Sequence, residues 1–275
     1  MLQTGDRGHG RANAAYCKRR VFLEQQAKML KEYRMTLGRE CSMKRMLSKL
    51  AKLLRITRDR TSMEVALKRA RGRNTSVRTV IDVGASDGRW SLMARKIFPD
   101  ASFFLVEAKK DHEDGLKKVK SSYSNIDYTI SAAGDNNGTI YFDAGDLFGG
   151  AASHSPLVSN CIAVPMLTID SLVNDKKLQP PFMLKLDTHG FEVPIFEGAS
   201  ETLKSTALII VEVYNFKLNE EALRFHELCN YLESKGFSCI DIADPMHRPK
   251  DQAFWQMDMF FVSSNNKEFE SNTYE

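Results

Sequence analysis

The chain reads as an α/β protein, Rossmann-like, with a doubly wound and mostly parallel sheet of seven strands behind an N-terminal helical extension. Three observations predict this. Strand-like runs alternate with helix-length stretches from residue 77 to residue 263, the pattern of a parallel sheet with helices on its faces. The first strand, Val80-Ile81-Asp82-Val83, runs into Gly84-Ala85-Ser86-Asp87-Gly88, and a helix-compatible stretch from Arg89 to Phe98 follows, stopped by Pro99. Carboxylates stand where successive strands end. A glycine-bearing turn between strand and helix is the binding corner of such sheets: bare backbone approaches a ligand there, and the helix start offers free N–H groups.

Composition sets the bounds. A length of 275 residues suffices for one large domain plus an appendage. An apolar fraction of 43% with 27% charged residues describes a soluble globular protein. The net charge of +4 divides unevenly. Residues 1–73 hold 20 Lys+Arg against 6 Asp+Glu, a net +14, and the remainder holds 19 against 29, a net −10. A basic arm is joined to an acidic body. The five cysteines, Cys17, Cys41, Cys161, Cys229 and Cys239, form no C-x-x-C pair, so no disulfide or zinc framework is expected and a reducing compartment fits. No apolar run approaches the roughly 20 residues of a membrane helix, and the N-terminus lacks a secretory core. The expectation is a cytoplasmic protein, with peripheral membrane contact left open.

Residues 1–15, rich in Gly, Asn and Arg, are expected to be disordered. Residues 16–70 favour helix with a break at Thr36-Leu37-Gly38. Met43, Met46, Leu47, Leu50, Leu53 and Leu54 recur at helical spacing among Lys44, Arg45, Lys49, Lys52 and Arg55. Such a stripe packs on the body or on a partner subunit, a homodimer included, or lies on an anionic membrane surface. Nucleic acid is the weaker expectation, because no RNA-reading motif accompanies the charge. Gly72–Thr75 reads as a linker, dividing the chain into a basic extension (1–73), a domain (74–264) and a flexible tail (265–275). Strands are expected at 77–83, 102–107, 126–132, 139–142, 161–167, 182–187, 207–214, 237–242 and 257–263. Helices are expected at 88–98, 111–121, 169–174, 193–204 and 219–235, with a loop of small residues at 144–155.

The strand-end acids are Asp82, Glu107, Asp135, Asp187 and Glu212. Glu107, 25 residues after Asp82 at the end of the second strand, stands where an acid takes both hydroxyls of a ribose. Asp135 follows the third strand, beside the Ser131–Ala133 backbone. Single acids at such positions often only cap the next helix, a reading most apt for Asp135. A row of them favours a cationic ligand. Gly84 and Gly88 frame G-x-x-x-G rather than the dinucleotide fingerprint G-x-G-x-x-G. The turn is nearer to that of S-adenosylmethionine (SAM) methyltransferases, with Ser86 in place of one glycine. SAM carries a sulfonium and an ammonium, whereas NAD carries a pyrophosphate anion.

Asp82-Val83-Gly84-Ala85-Ser86-Asp87-Gly88, Val106-Glu107-Ala108, Ala132-Ala133-Gly134-Asp135, Leu184-Lys185-Leu186-Asp187-Thr188-His189-Gly190-Phe191-Glu192, Phe196-Glu197-Gly198-Ala199 and Ile210-Val211-Glu212-Val213 resemble, in order, the FkbM-type class I SAM-dependent methyltransferases. The likeness spans about residues 77–263. It implies SAM as cofactor, held by Asp82, Val83, Gly84, Ala85, Ser86, Gly88, Glu107, Ala108, Ala132, Ala133, Asp135 and Asp187. It also implies O-methylation of a sugar or glycan, glycolipid or small-molecule acceptor. Catalysis is assigned to Asp187, His189 and Glu212, with no metal assigned. His189 is either a general base, for which imidazole is matched at neutral pH, or a histidine hydrogen-bonded within its turn. Asp187 orients it, meets the amino-acid end of SAM, or joins Glu212 in holding a divalent ion. Glu192 is expected to brace the following helix, and His226 to be structural. Tyr214, Asn215 and the 144–155 loop are candidates for acceptor contacts. Ser86-Asp87 and His189 depart from the commoner family residues. Two other readings stay open: an RNA methyltransferase using the basic arm, and a SAM-fold binding module without turnover.

Overall fold

The computed structural model describes residues 60–143, 150, 152–153, 161–220 and 222–274. The basic stripe at 43–55 and most of the 144–155 loop lie outside the described residues. The main sheet has the order β3-β2-β1-β8-β9-β11-β10, formed by β1 (Thr79–Val83), β2 (Ser102–Glu107), β3 (Ile126–Ile130), β8 (Phe182–Leu186), β9 (Thr206–Tyr214), β10 (Phe237–His247) and β11 (Phe254–Ser263). Six strands share a direction, and β11 runs against its neighbours β9 and β10. The expected mostly parallel seven-stranded sheet is therefore present. β1 (Thr-Val-Ile-Asp-Val) and β8 (Phe-Met-Leu-Lys-Leu) are buried along their whole length, as strands covered on both faces must be.

Alternate side chains of these strands feed two apolar clusters. Ile81, Leu184, Ile209 and Phe261 belong to one. Val80, Met183, Ile210 and Phe260 belong to the other. The helices α1 (Met63–Gly72), α2 (Arg89–Ile97) and α3 (Glu113–Ser122) contribute Leu67, Ala94 and Leu116 to the second cluster.

A smaller four-stranded sheet, not foreseen, has the order β4-β7-β5-β6, with β4 at Ala132–Ala133, β5 at Gly138–Asp143, β6 at Ala152–Ser153 and β7 at Cys161–Leu167. It arises because the strand expected at 126–132 breaks. The Ser131 N–H still donates to Glu107 O (2.8 Å), after which Ala132 and Ala133 pair with Met166 and Leu167.

Side-chain caps set the start of three helices. The helix α4 (Ile169–Lys176) starts at Thr168, whose hydroxyl accepts from Ser171 N (3.0 Å). The helix expected at 193–204 is instead α5 (Glu192–Glu197) and α6 (Ser200–Leu203). The Asp170 carboxylate accepts from Glu201 N (2.9 Å) and Thr202 N (2.7 Å), giving α6 its own cap. α7 (Phe225–Ser234) begins six residues later than expected, at a capping box in which Glu227 accepts from Arg224 N (2.8 Å).

α1 precedes the expected linker, yet it buries Met63, Ala66, Leu67 and Ala70 against the sheet. Arg69 makes a two-pronged ion pair with Asp241 on β10, both contacts 2.7 Å. The compact unit runs from Arg60, so this part of the expected extension packs as domain. Among the described residues no helix is long and apolar enough to cross a membrane. Leu67→Ala removes a fully buried side chain and is expected to lower unfolding stability by about 2–5 kcal/mol, measured by urea denaturation.

Candidate active site

The carboxyl ends of β1, β2, β8 and β9 border a cavity of about 690 Å³. Five carboxylates line it (Glu107, Asp187, Glu212, Asp244, Asp258) against three cations (Arg89, Lys109, Lys185), so the lining is net −2 with histidines neutral.

Beneath the turn after β1 lies a buried ammonium. β1 and β8 pair in register with Asp82 opposite Lys185, and Asp187, two residues on, falls on the same face as Lys185. Lys185 Nζ lies 3.4 Å from Asp82 Oδ1 and 3.0 Å from Asp187 Oδ2. The Ser91 hydroxyl donates to Asp82 Oδ2 at 2.7 Å. Burial raises the Asp82 carboxyl above its ordinary value, with Lys185 opposing. Burial also works against the Lys185 ammonium, but Asp82 and Asp187 outweigh it and hold the group above the usual lysine range. Asp187 feels burial too; the adjacent Lys185 overcomes it and keeps the carboxylate ionised, below its ordinary value.

This tie brings the end of β8 against the turn. Asp187 N–H donates to Val83 O (3.0 Å). Gly84 has φ +75°, and a Cβ there would lie 2.1 Å from Asp187 O. The glycine is required by the chain's own backbone as well as by the left-handed turn. Glu107 closes the other side: its Oε2 accepts from Ser86 N (2.7 Å) and its Oε1 from Lys109 N (2.8 Å). An ionised carboxylate has about four acceptor positions, so Glu107 retains capacity for a ligand's hydroxyls. Ser86 Oγ, Ser131 Oγ and Trp90 Nε1 are buried without a hydrogen-bond partner among the described residues, and all three residues line the cavity. A ligand with polar groups along its length would relieve these orphaned atoms, each of which otherwise costs about 1–3 kcal/mol.

On the other side of Asp187 the chain turns through His189 in the left-handed region (φ +52°). Its Nδ1 lies 2.7 Å from the Tyr214 hydroxyl and 3.4 Å from Glu212 Oε2, and its Nε2 lies 3.8 Å from Asp187 Oδ1. The Tyr214 hydroxyl and the Gln256 amide both donate to Glu212. Because the tyrosine proton goes to Glu212, its oxygen is left to accept from His189. This network assigns the proton to Nδ1 and leaves the Nε2 lone pair available in the neutral ring. The Glu212 interaction raises the His189 pKa above 6.5, against burial and with help from Asp187. Burial, then Glu212, keeps Tyr214 protonated well above its ordinary range. Glu192, raised by burial, braces the turn rather than the helix it begins: it accepts from Gly190 N (2.9 Å) and from the Thr188 hydroxyl (3.1 Å).

The methyltransferase FkbM domain matches residues 82–239, more than half of the chain. The protein belongs to the FkbM methyltransferase family. As such it is a methyltransferase domain, and the family implies SAM as donor. Among solved structures it is similar to a methyltransferase FkbM from Methylobacillus flagellatus, at 17% identity and TM-score 0.48, covering 68% of this chain and 44% of that one. It is also similar to a precorrin-6y C5,15-methyltransferase from Geobacter metallireducens, at 11% identity and TM-score 0.40, covering 73% and 88%. A third is the fibrillarin pre-rRNA processing protein of Methanococcus jannaschii, at 11% identity and TM-score 0.44, covering 69% and 68%. The chain thus spans under half the length of the Methylobacillus protein. The curated proteins hold no match to it.

Of the residues expected at the site, Val83, Gly84, Ala85, Ser86, Glu107, Ala108, Ala132, Ala133, Asp187, His189 and Glu212 line one cavity in this FkbM-family domain. Three do not. Asp82 is fully buried below the turn, engaged by Ser91 and Lys185. Gly88 faces Leu105 and Val119, where a Cβ would lie 3.2 Å from each, so its glycine serves helix packing. Asp135 is exposed and outside the lining, because the chain bends into β4 before reaching it. Tyr214 and Asn215, candidates for acceptor contacts, also lie outside the lining, and His226, expected to be structural, is exposed on α7. The expectations missed Lys185, Trp90, Asp244 and Asp258. A signal existed for two: a lone charge inside an apolar strand, Lys185 in β8 and Asp258 in β11, must find a partner or face a cavity. Lys185→Met leaves Asp82 buried without its counter-ion and is expected to cost about 3–5 kcal/mol at pH 8. The loss shrinks at pH 5 as Asp82 protonates, which urea denaturation at both pH values would show.

Proposed function

We propose that the protein transfers a methyl group from SAM to a hydroxyl of a sugar-like or small-molecule acceptor, with His189 as the base that receives the hydroxyl proton. The observation that carries this reading is the Glu212–Tyr214–His189 chain, which engages Nδ1 and leaves Nε2 toward the cavity beside Asp187. The donor, when bound, supplies a methyl carbon made electrophilic by a positively charged sulfur.

The chain's own residues have three tasks. Glu107, its two oxygens anchored by Ser86 N and Lys109 N, accepts ribose hydroxyls, with Ser86 Oγ and Ser131 Oγ as further polar partners. Glu107 and Asp187, the carboxylates on either side of the turn after β1, attract a cationic donor and release the less charged product more readily. His189 removes the proton as the acceptor oxygen bonds to carbon, and Glu212 and Asp187 stabilise the imidazolium that results. Holding oxygen and methyl in line supplies up to about 7–11 kcal/mol, and the base contributes about 10²–10⁴-fold. Asp187, held ionised by Lys185, acts on both the cationic donor and the ring.

His189→Ala is expected to lower kcat by about 10²–10⁴-fold while SAM affinity by calorimetry stays within a factor of about three; undiminished turnover removes His189 as the base. Because the base must be neutral, kcat/KM rises with pH through a midpoint above 6.5, the direction in which Glu212 shifts His189. Glu212→Gln removes that charge and moves the midpoint to lower pH, read from label transfer across a pH series. Glu107→Ala is expected to weaken SAM binding at least about tenfold, the loss of one hydrogen bond to a charged group.

A further inference from the structure

Beyond His189 and Glu212 the cavity reaches two carboxylates, Asp244 and Asp258, that the reaction above does not use. The β9–β11 register sets Asp258 opposite Glu212, and the β10–β11 register sets Ala243 opposite Asp258, with Asp244 beside it. Asp258 and Glu107 stand on strands four steps apart in the sheet, about 19 Å at the usual spacing. Asp187, Glu212, Asp258 and Asp244 thus bring four carboxylates to this end of the cavity, with Lys185 the one ammonium beside them among the described residues. Lys185 is already committed to Asp82 and Asp187. Asp244 is also engaged: it accepts from Met63 N at 3.2 Å, at the start of α1.

Asp258 is different. It is partly buried, it lines the cavity, and no donor among the described residues bonds to it. The groups facing it are Lys185 from β8, Asp187 just beyond that strand, Glu212 from β9 and Asp244 from β10. Burial, reinforced by the three carboxylates and opposed by Lys185, pushes its carboxyl up to about 7. A partly buried carboxylate that lacks a donor and stands among like charges is unfavourable, and a ligand that brought a cation would relieve both the burial and the repulsion. The remaining wall includes Met63, Trp90 and Met93, apolar surface for carbon atoms, with Lys185 Nζ already 5.4 Å from the centre of the Trp90 ring.

We infer that this end of the cavity is a subsite for a protonated amine, so that the acceptor is a hydroxyl compound which also carries a cationic nitrogen. The hydroxyl half of this statement rests on the methyl-transfer reading; the amine half rests on Asp258. Amine binding draws the proton off Asp258, so affinity falls as pH drops below about 7.

The test uses the full chain saturated with S-adenosylhomocysteine. Saturation-transfer NMR at pH 8 and pH 5.5 compares amino alcohols and amino sugars with their N-acetyl forms and their nitrogen-free analogues. The free amines are expected to bind at least about tenfold tighter than the N-acetyl forms at pH 8, as a charge-assisted hydrogen bond requires, and to lose that advantage at pH 5.5. Asp258→Asn, a replacement of equal size, abolishes the preference and leaves S-adenosylhomocysteine affinity unchanged; Asp258→Ser serves if the amide variant does not fold. The inference is overturned if the N-acetyl forms bind equally well, if no compound binds, or if the amine preference survives the loss of the carboxylate in both variants. It also falls if Asp258→Asn weakens S-adenosylhomocysteine, which would give these acids to the donor, or if magnesium alone binds there in competition with the amines. Amines that bind as expected but accept no methyl group overturn the hydroxyl-transfer reading and leave the amine subsite standing.

Discussion

The site depends on one buried ammonium. Lys185 rises from the middle of the sheet between two carboxylates on neighbouring strands, Asp82 below and Asp187 above. A lysine enclosed in an apolar sheet stays charged only with such compensation. Together with the Asp187 N–H to Val83 carbonyl bond, the ion pairs draw the end of β8 against the turn after β1, so closely that position 84 has no room for a side chain. Both halves of the cavity are referred to that junction: Ser86 and Glu107 on one side, His189 and Glu212 on the other.

Around it, charge is distributed unevenly for a physical reason. Parallel strands all deliver their carboxyl ends to one edge, and this chain places Glu107, Asp187 and Glu212 at or next to those ends. The antiparallel β11 enters from the opposite direction and still adds Asp258 to the same row, because it pairs with β9 in a register that sets Asp258 beside Glu212. Each acid is handled differently by its surroundings. Glu107 is anchored by backbone N–H groups, Asp187 is ionised by lysine, Glu212 is occupied by Tyr214 and Gln256, and Asp258 has no donor among the described residues. Four carboxylates of the same chemistry thereby acquire four behaviours.

Much of this was legible in the amino-acid order. Strand runs at 102–107 and 161–167 match the observed strands to the residue, since apolar runs bounded by polar turns leave little choice of boundary. Boundaries set by distant side chains were not legible: α6 is separated from α5 because Asp170 caps it, and Ser131 leaves β3 because its neighbours find Met166 and Leu167. Asp82 and Asp135 read as ligand-facing acids from their spacing alone. The first is instead consumed by Lys185 and Ser91, and the second lies beyond the bend into β4.

The sequence by itself determined the alternating elements, the glycine turn at 84–88, the acids at strand ends and the family that these motifs resemble, because each rests on local periodicity or short spacing. Only the tertiary structure decided which acid meets which cation, that Met63–Gly72 belongs to the core, and which nitrogen of His189 is free. Those outcomes depend on contacts such as Lys185–Asp82, Arg69–Asp241 and His189–Tyr214, whose partners lie 25 to 172 residues apart and meet only in the folded chain.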